Sequence, residues 1–426
     1  MRTLTEGVGT DRRALGIDLA FYLGCFAFAL PTALASEFYG YRIWGNFASV
    51  GYGIAAVYTG WLLAKPMQEK AWSRWVGIGS IGAFAMVIPL GVLVVRRLTG
   101  VDWLITPNSW AAQPEVWVIE RSARLFLDQG TPYVDITTLG RAPEINDYTP
   151  YEPVMALFGL PRALFGGSPL RDALTDARLV FALVAVLCVL ATLRLLKWPK
   201  IPVRGAQLAL ACPLTALTWA VAGPDLAIAG LLILSCALAA RDKPVLSGLV
   251  LALVVSAKVI VAPALVVLAF LVLKRLGKRS LGAFSLTFVA VTAVANVPVF
   301  LVNPRAFIEH TIRFPFGFGA VTSPAASPLP GHLIANLGQV GKAMSFLLLA
   351  AAAAAILVWL VRRPPAVGSD AVLRIAAGLG AFTLLTPATR YGYLVYPLVL
   401  LGAMLVFREM EEPPAPLPQA ASATSS

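Results

Sequence analysis

Glu115, Glu120, Asp128 and Asp135 fall within one run, AQPEVWVIERSARLFLDQGTPYVD at 112–135, in a chain that is only 13% charged. Residues 96–153 hold eight of the chain's 22 acids. A carboxylate's most general chemistry is to take a proton from a reacting hydroxyl. Pro114 to Gln129 reads as a helix, with proline in its first turn and Gly130 as its stop. Val116, Ile119, Ala123 and Phe126 mark its apolar face. Glu120, Arg124 and Asp128 are spaced four apart, which predicts a surface ion-pair ladder. Glu115 lies in the first turn, about 140° around the helix from Glu120. It has two readings, a partner for the helix dipole or a general base at the mouth of a membrane cavity. The dipole favours the ionised form and so works against a base. Glu120, Asp135 and Asp147 stay open as alternative bases.

The next run, INDYTPYEPVMALFGLP, sets Tyr148 and Tyr151 among prolines in a rigid aromatic turn. Such a turn serves as an interfacial anchor or as a platform for a sugar ring or lipid headgroup. Asp225, in AVAGPDLAIAGLL, opens an apolar run, either as a helix cap after Gly-Pro or as part of a site. Lys258, in VVSAKVIVAPAL, is flanked by apolar residues on both sides. A lysine there costs about 2.5–3.5 kcal/mol to insert, so it either snorkels to the interface or faces an interior cavity. Arg390, in LTPATRYGYLVYP, stands beside Tyr391 and two further tyrosines. His310 and Arg313 lie in a second polar stretch, 303–341.

What positions these residues is a membrane. The 426 residues are 58% hydrophobic with a mean hydropathy of +0.77, the composition of an all-α polytopic membrane protein. Apolar runs of spanning character occur at 17–36, 45–65, 76–95, 177–194, 206–221, 225–240, 244–257, 259–274, 281–302, 343–361, 371–386 and 391–407. The first lacks a cleavage site followed by a soluble domain and is read as a transmembrane helix. The net charge of +12 sits in short basic clusters between apolar runs, which is positive-inside patterning and excludes nucleic acid as the partner. Cys25, Cys188, Cys212 and Cys236 all lie in apolar runs without CxxC spacing, so neither a disulfide framework nor a zinc site is expected.

With both termini in the cytoplasm and the spans alternating, the short inner loops hold 20 of the 34 Lys and Arg. This topology puts Glu115, Asp225, Lys258, His310, Arg313 and Arg390 on the outer side. It also requires 153–166 to dip in and return or to lie at the interface, because a crossing there would turn the cluster at 194–204 outward. The expected organisation is a cytoplasmic tail at 1–16, three helices within 17–95 and an outer acidic loop with the catalytic helix at 96–153. A bundle at 154–302, an outer loop at 303–341, final helices within 342–407 and a disordered cytoplasmic tail at 408–426 complete it. A carboxylate facing several cations suits transfer from a phosphate leaving group, with a base for the acceptor hydroxyl and positive charge for the departing phosphate.

The order of these motifs is an acid in the first large outer loop, an aromatic-proline turn, a GxDL span, a lysine in AxKxxxxP and a late RYGYLVYP. It resembles the GT-C integral membrane glycosyltransferases from about residue 96 to 407, and within them the actinobacterial polyprenol-phosphate-mannose-dependent family that includes the phosphatidylinositol-mannoside mannosyltransferases. The resemblance implies a GT-C-like bundle of about 11–13 transmembrane helices with a re-entrant or interfacial segment and two outer loops. It implies inverting transfer of mannose from a polyprenyl phosphate to a lipid or polysaccharide hydroxyl at the outer face of the plasma membrane. Glu115 would be the catalytic base, in a position the family usually fills with Asp. Lys258, Arg390, His310 and Arg313 would bind the donor phosphate, and Tyr148, Tyr151, Asp225 and Tyr391 the sugar and acceptor. The implied partners are the polyprenyl-phosphate sugar, a glycolipid or glycan acceptor and membrane lipids. No DxD occurs in the outer loops, so no metal is expected. Residues 17–65 look like an added hairpin, since the family's acid loop commonly follows the first helix. A lipid or sugar transporter is the rival class and predicts pseudo-symmetric halves, of which the sequence shows no repeat. A catalytically inactive relative serving as an assembly partner is the third reading.

Overall fold

The computed structural model describes residues 12–64, 74–99 and 111–411. The far ends of the two expected tails, 1–11 and 412–426, lie outside the described residues. Twelve helices position the site: α1 (Arg12–Ala35), α2 (Tyr39–Ala64), α3 (Trp75–Thr99), α4 (Pro114–Gln129), α5 (Ala177–Leu195) and α6 (Pro213–Val221), then α7 (Pro224–Ala240), α8 (Pro244–Val255), α9 (Ala264–Val302), α10 (Gln339–Arg362), α11 (Gly368–Leu385) and α12 (Val395–Glu411). Among the described residues there is no strand, only a lone bridge from Ala326 to Thr389. The protein is an all-α polytopic membrane protein.

Among the described residues eight helices are long and apolar enough to cross a membrane, or nine if the bent pair α6–α7 counts as one span. This count takes α9 as one span and leaves out the short α8, where the resemblance implies 11–13 helices. The expected apolar runs are present as helices, but several are short or broken. The run at 206–221 is interrupted before Pro213, and α8 has only 12 residues, about 18 Å of rise. α9 contains a break at Gly277, where φ is +81°. Gly248 of α8 packs against the Phe284 carbonyl, and Asn296 donates to Ser256 Oγ at 2.8 Å. The second half of α9 therefore runs in the same direction as α8, and the first half runs back between them. Gly277 is the reversal, in a conformation that glycine adopts without a Cβ penalty.

The residues at 153–165 form a short apolar helical stretch packed on α4. Leu157, Leu164 and Phe165 remain exposed, as an interfacial segment requires. α7 is the axis of the bundle, with 15 of its 17 residues buried, whereas α10 buries only Gly341, Ser345 and Leu360 and turns its apolar surface outward. α1–α3 form a second packed unit around Trp44, whose indole donates to Ala85 O at 2.9 Å. Tyr52 joins this unit to the rest by donating to Ala211 O at 2.9 Å. Asp18, buried in α1, is satisfied by Arg74 at 2.6 Å and Gln207 at 2.9 Å.

The two ends of the bundle differ in charge. Arg275 pairs with Asp242 at 2.9 Å, Arg374 donates to Arg363 O at 2.8 Å, and Ser369 N donates to Glu411. These contacts gather the basic loops at one end. α7 starts with Asp225 at the opposite end, where Glu115, Lys258 and Arg390 also lie.

Candidate active site

Glu115 stands in the first turn of α4, after Pro114. The Gln113 N–H donates to Val221 O at 2.9 Å, which pins the start of α4 to the end of α6. Two residues later the chain bends by 116° at Gly223 and opens α7 with Asp225. Gly223 has φ +87°, and a Cβ there would meet Phe181, so the bend takes glycine on two counts. The Gln113 side-chain amide also donates to the Tyr41 hydroxyl at the head of α2. Tyr151 donates to Glu115 Oε2 at 3.1 Å. Glu115 is thus held by α6, by the α1–α2 turn and by the aromatic-proline turn. Burial pushes its carboxyl up, Asp225 adds to this, and Lys258, Arg390 and the Tyr151 hydroxyl oppose it. The net direction is upward, so burial outweighs the helix dipole and the group is a stronger base than an exposed glutamate.

Asp225 accepts from Lys258 and from the Tyr396 hydroxyl, the latter at 2.6 Å. The Lys258 ammonium lies 5.0, 5.5 and 5.8 Å from the ring centroids of Tyr393, Tyr151 and Tyr396, a favourable place for a cation. Its backbone is extended between α8 and the short turn at Val259–Val261. The aromatic-proline turn fixes this break, because Val154 N donates to Ser256 O at 2.9 Å and Val259 N to Glu152 Oε2 at 2.8 Å. Burial pushes the Glu152 carboxyl up to about 7.

Arg390 is placed by the second loop. Thr389 N donates to Ala325 O at 2.9 Å, Ser327 N to Thr389 O at 2.9 Å, and Tyr391 N to Ser327 Oγ at 3.0 Å. The Arg390 side chain is half-buried and makes no hydrogen bond or ion pair among the described residues. Glu115, Asp225, Arg390, Tyr391 and Tyr393 line one cavity of about 920 Å³, together with Tyr41 and Gln113. That volume is at the upper end of small-molecule sites, about 300–1,000 Å³.

The structure does not bring every expected residue here. Lys258 is not part of the cavity wall but sits behind Asp225 as its ion-pair partner. His310 receives Thr149 N–H on Nδ1 at 2.9 Å, and its Nε2 pairs with Val134 O at 2.8 Å. It is therefore neutral with its proton on Nε2, and burial pushes its pKa down to about 4. It offers no cation to a phosphate. Arg313 pairs with Glu309 at 3.1 Å and donates to Phe318 O. Tyr148 stacks on Phe314 at 4.1 Å and bonds Glu309. These three order the second loop against the first and do not line the cavity. Tyr151 is in the site, but its hydroxyl serves Glu115.

The alternative acids are engaged elsewhere. Arg124 and Asp128 form the expected exposed pair at 2.9 Å, but Glu120 is not on that ladder. It is buried, accepting from Arg97 at 3.0 Å and from Ala177 N at 3.0 Å. Asp135 caps a turn at Thr137, and Asp147 pairs with Arg141 at 2.7 Å. Tyr41, Gln113, Glu152, Tyr393 and Tyr396 join the site without having been singled out. Tyr393 and Tyr396 had a signal, since both lie in RYGYLVYP, whereas the Tyr41–Gln113 contact joins residues 72 apart in the chain.

A multi-span helical protein with a carboxylate and an arginine facing one cavity fits the class of membrane-embedded enzymes. Residues 148–387, more than half of the chain, match Glycosyltransferase family 87. The chain belongs to this family, and it is a membrane glycosyltransferase of the GT-C type. The matched stretch contains Asp225 and Lys258, begins after Glu115 and ends just before Arg390. No curated protein and no solved structure matches the chain.

Proposed function

We propose that this glycosyltransferase moves a sugar, mannose by resemblance, from a polyprenyl phosphate to a hydroxyl of a lipid or glycan, with inversion, at the outer face of the plasma membrane. The observation that carries this reading is Arg390, without a hydrogen bond or ion pair among the described residues, in the same cavity as Glu115. A half-buried guanidinium without a hydrogen-bonded partner is costly, and a bound phosphate monoester removes that cost while accepting charge-assisted hydrogen bonds. Glu115 takes the proton of the acceptor hydroxyl. The acceptor oxygen bonds to the anomeric carbon as the bond from that carbon to the phosphate oxygen breaks. The electron pair leaves on the lipid phosphate, where Arg390 stabilises it. Glu115 then returns its proton to water. The Asp225–Lys258 pair acts as a positioning device behind the reacting groups, and Tyr391 and Tyr393 present faces to the sugar.

The gathering of the polar lining at one end of the bundle favours transfer over transport. The outer placement rests on the basic loops at the opposite end. The test is transfer from radiolabelled polyprenyl-phosphate mannose in proteoliposomes. Label reaching a glycolipid or glycan acceptor supports the reading. Movement of intact donor across the bilayer without transfer contradicts it.

A further inference from the structure

The cavity also has apolar walls that the chemistry above does not use. Positions 20, 21, 24, 25 and 28 of α1 line it, and so do 213, 214, 217 and 218 of α6. Each set repeats at one and four residues, which is one face of a helix. Two helices thus turn apolar stripes toward each other across open space. Gly24 marks the gap, because a Cβ added there would meet nothing within 4 Å. Phe28 lines the cavity and is 41% exposed, and Leu23 and Leu30 of the same helix, which do not line it, are exposed too, so this wall lies on a helix at the apolar surface of the bundle. The stripe on α1 rises about 12 Å. Glu115 and Arg390 line the same cavity.

Building on the transfer reading, we propose that the trough between α1 and α6 is the lane for the isoprenoid chain of the sugar donor, with Gly24 as the residue that keeps it open. The donor carries its phosphate directly on its chain. A phosphate held at Arg390 lays the first part of that chain along the apolar wall continuous with the same cavity. α1 lies outside the family-matched stretch, so the hairpin at the N-terminus is part of the substrate site and not only an added anchor. The wall is made of smooth apolar surface without hydrogen-bonding side chains other than Thr218, which suits a hydrocarbon of variable unsaturation.

The test uses the full-length protein in proteoliposomes with Gly24→Ala, Gly24→Leu and Gly24→Trp, assayed with a long-chain and a short-chain polyprenyl-phosphate sugar. Gly24→Trp is expected to raise KM for the long-chain donor by about tenfold while kcat/KM for the short-chain donor stays within about threefold. Gly24→Leu should fall between, and Gly24→Ala should match wild type. An equal loss on both donors, an effect on acceptor KM alone, or an unchanged long-chain KM in both Gly24→Leu and Gly24→Trp overturns the lane. If Gly24→Trp does not fold, Gly24→Leu decides by the same criteria. If wild type uses neither donor, the transfer reading fails on its own. The lane is then decided by long-chain polyprenyl phosphate binding, which Gly24→Trp should weaken about tenfold and which is overturned by equal binding to both proteins.

Discussion

Two buried charge clusters lie at the same end of this molecule, and they differ in one respect. In the first, Asp176 accepts from Arg178 at 2.7 Å and pairs with Arg97 at 2.7 Å, while Glu120 takes Arg97 from the other side at 3.0 Å. Arg178 also reaches the carbonyls of Ala111 and Ala220, at 2.9 and 3.3 Å. Two acids meet two arginines, and spare donors find backbone oxygens. In the second, Asp225 and Lys258 satisfy each other, but Glu115 has only the Tyr151 hydroxyl and Arg390 has no partner among the described residues. The first cluster is closed and ties α3, α4 and α5 together. The second opens onto a cavity and leaves a carboxylate and a cation for something else. The lesson is that burial of charge does not by itself mark a site. What marks it is charge left incomplete beside space.

The largest expected contrast comes from neutralising one acid in each cluster. Glu115→Gln should lower transfer by about 10²–10⁴-fold, as loss of a general base does, with thermal stability close to wild type. Asp176→Asn should do the reverse, costing about 3–5 kcal/mol because Arg178 and Arg97 lose a buried counter-charge. The activity of Asp176→Asn should track the amount of folded protein. Thermal melts and initial rates on the same preparations separate the two.

Next in size is the pair behind the cavity. Lys258→Met leaves Asp225 buried with Tyr396 alone and should cost about 3 kcal/mol or more. Lys258→Met with Asp225→Asn should recover most of that stability, because the uncompensated charge is gone, without recovering full transfer. Recovery of both would make the pair purely structural.

The smallest effect is a movement of the pH profile. Glu115 is pushed above the ordinary carboxylate range and must lose its proton to act, so transfer should rise with pH through its raised pKa. Tyr151 donates to the ionised form and so holds that pKa down. Tyr151→Phe should therefore shift the acid limb of kcat/KM to higher pH. A shift to lower pH would contradict the assignment of Glu115 as the titrating base.

Much of this contrast was legible in the sequence. The proline at the first turn of α4 and the rotation along it correctly separated Glu115 from Glu120. Alternation of spans with basic loops put Asp225, Lys258 and Arg390 with Glu115. Sidedness is a one-dimensional measure, however. It could not tell that His310 and Arg313 lie on the same side yet belong to another patch, where two backbone partners neutralise the histidine. Nor could spacing show that Glu120 leaves Arg124 for Arg97, 23 residues earlier in the chain. Length alone hides some of the spans that the apolar runs mark, because α8 and the first half of α9 are short yet carry the chain from the end that holds Asp242 and Arg275 to the end that holds Lys258 and back. The breaks at Gly223 and Lys258 lie at the site, whereas the one at Gly277 lies at the opposite end, beside Arg275.

The most direct measurement of the central claim is binding of polyprenyl phosphate, the product common to any such transfer, to purified Glu115→Gln and Arg390→Gln proteins. The account predicts that Glu115→Gln binds within about threefold of wild type, whereas Arg390→Gln weakens binding by about 10–100-fold, the worth of a charge-assisted contact in a buried site. Equal binding by wild type and Arg390→Gln would contradict it, because the unpaired arginine would then be awaiting something other than a phosphate.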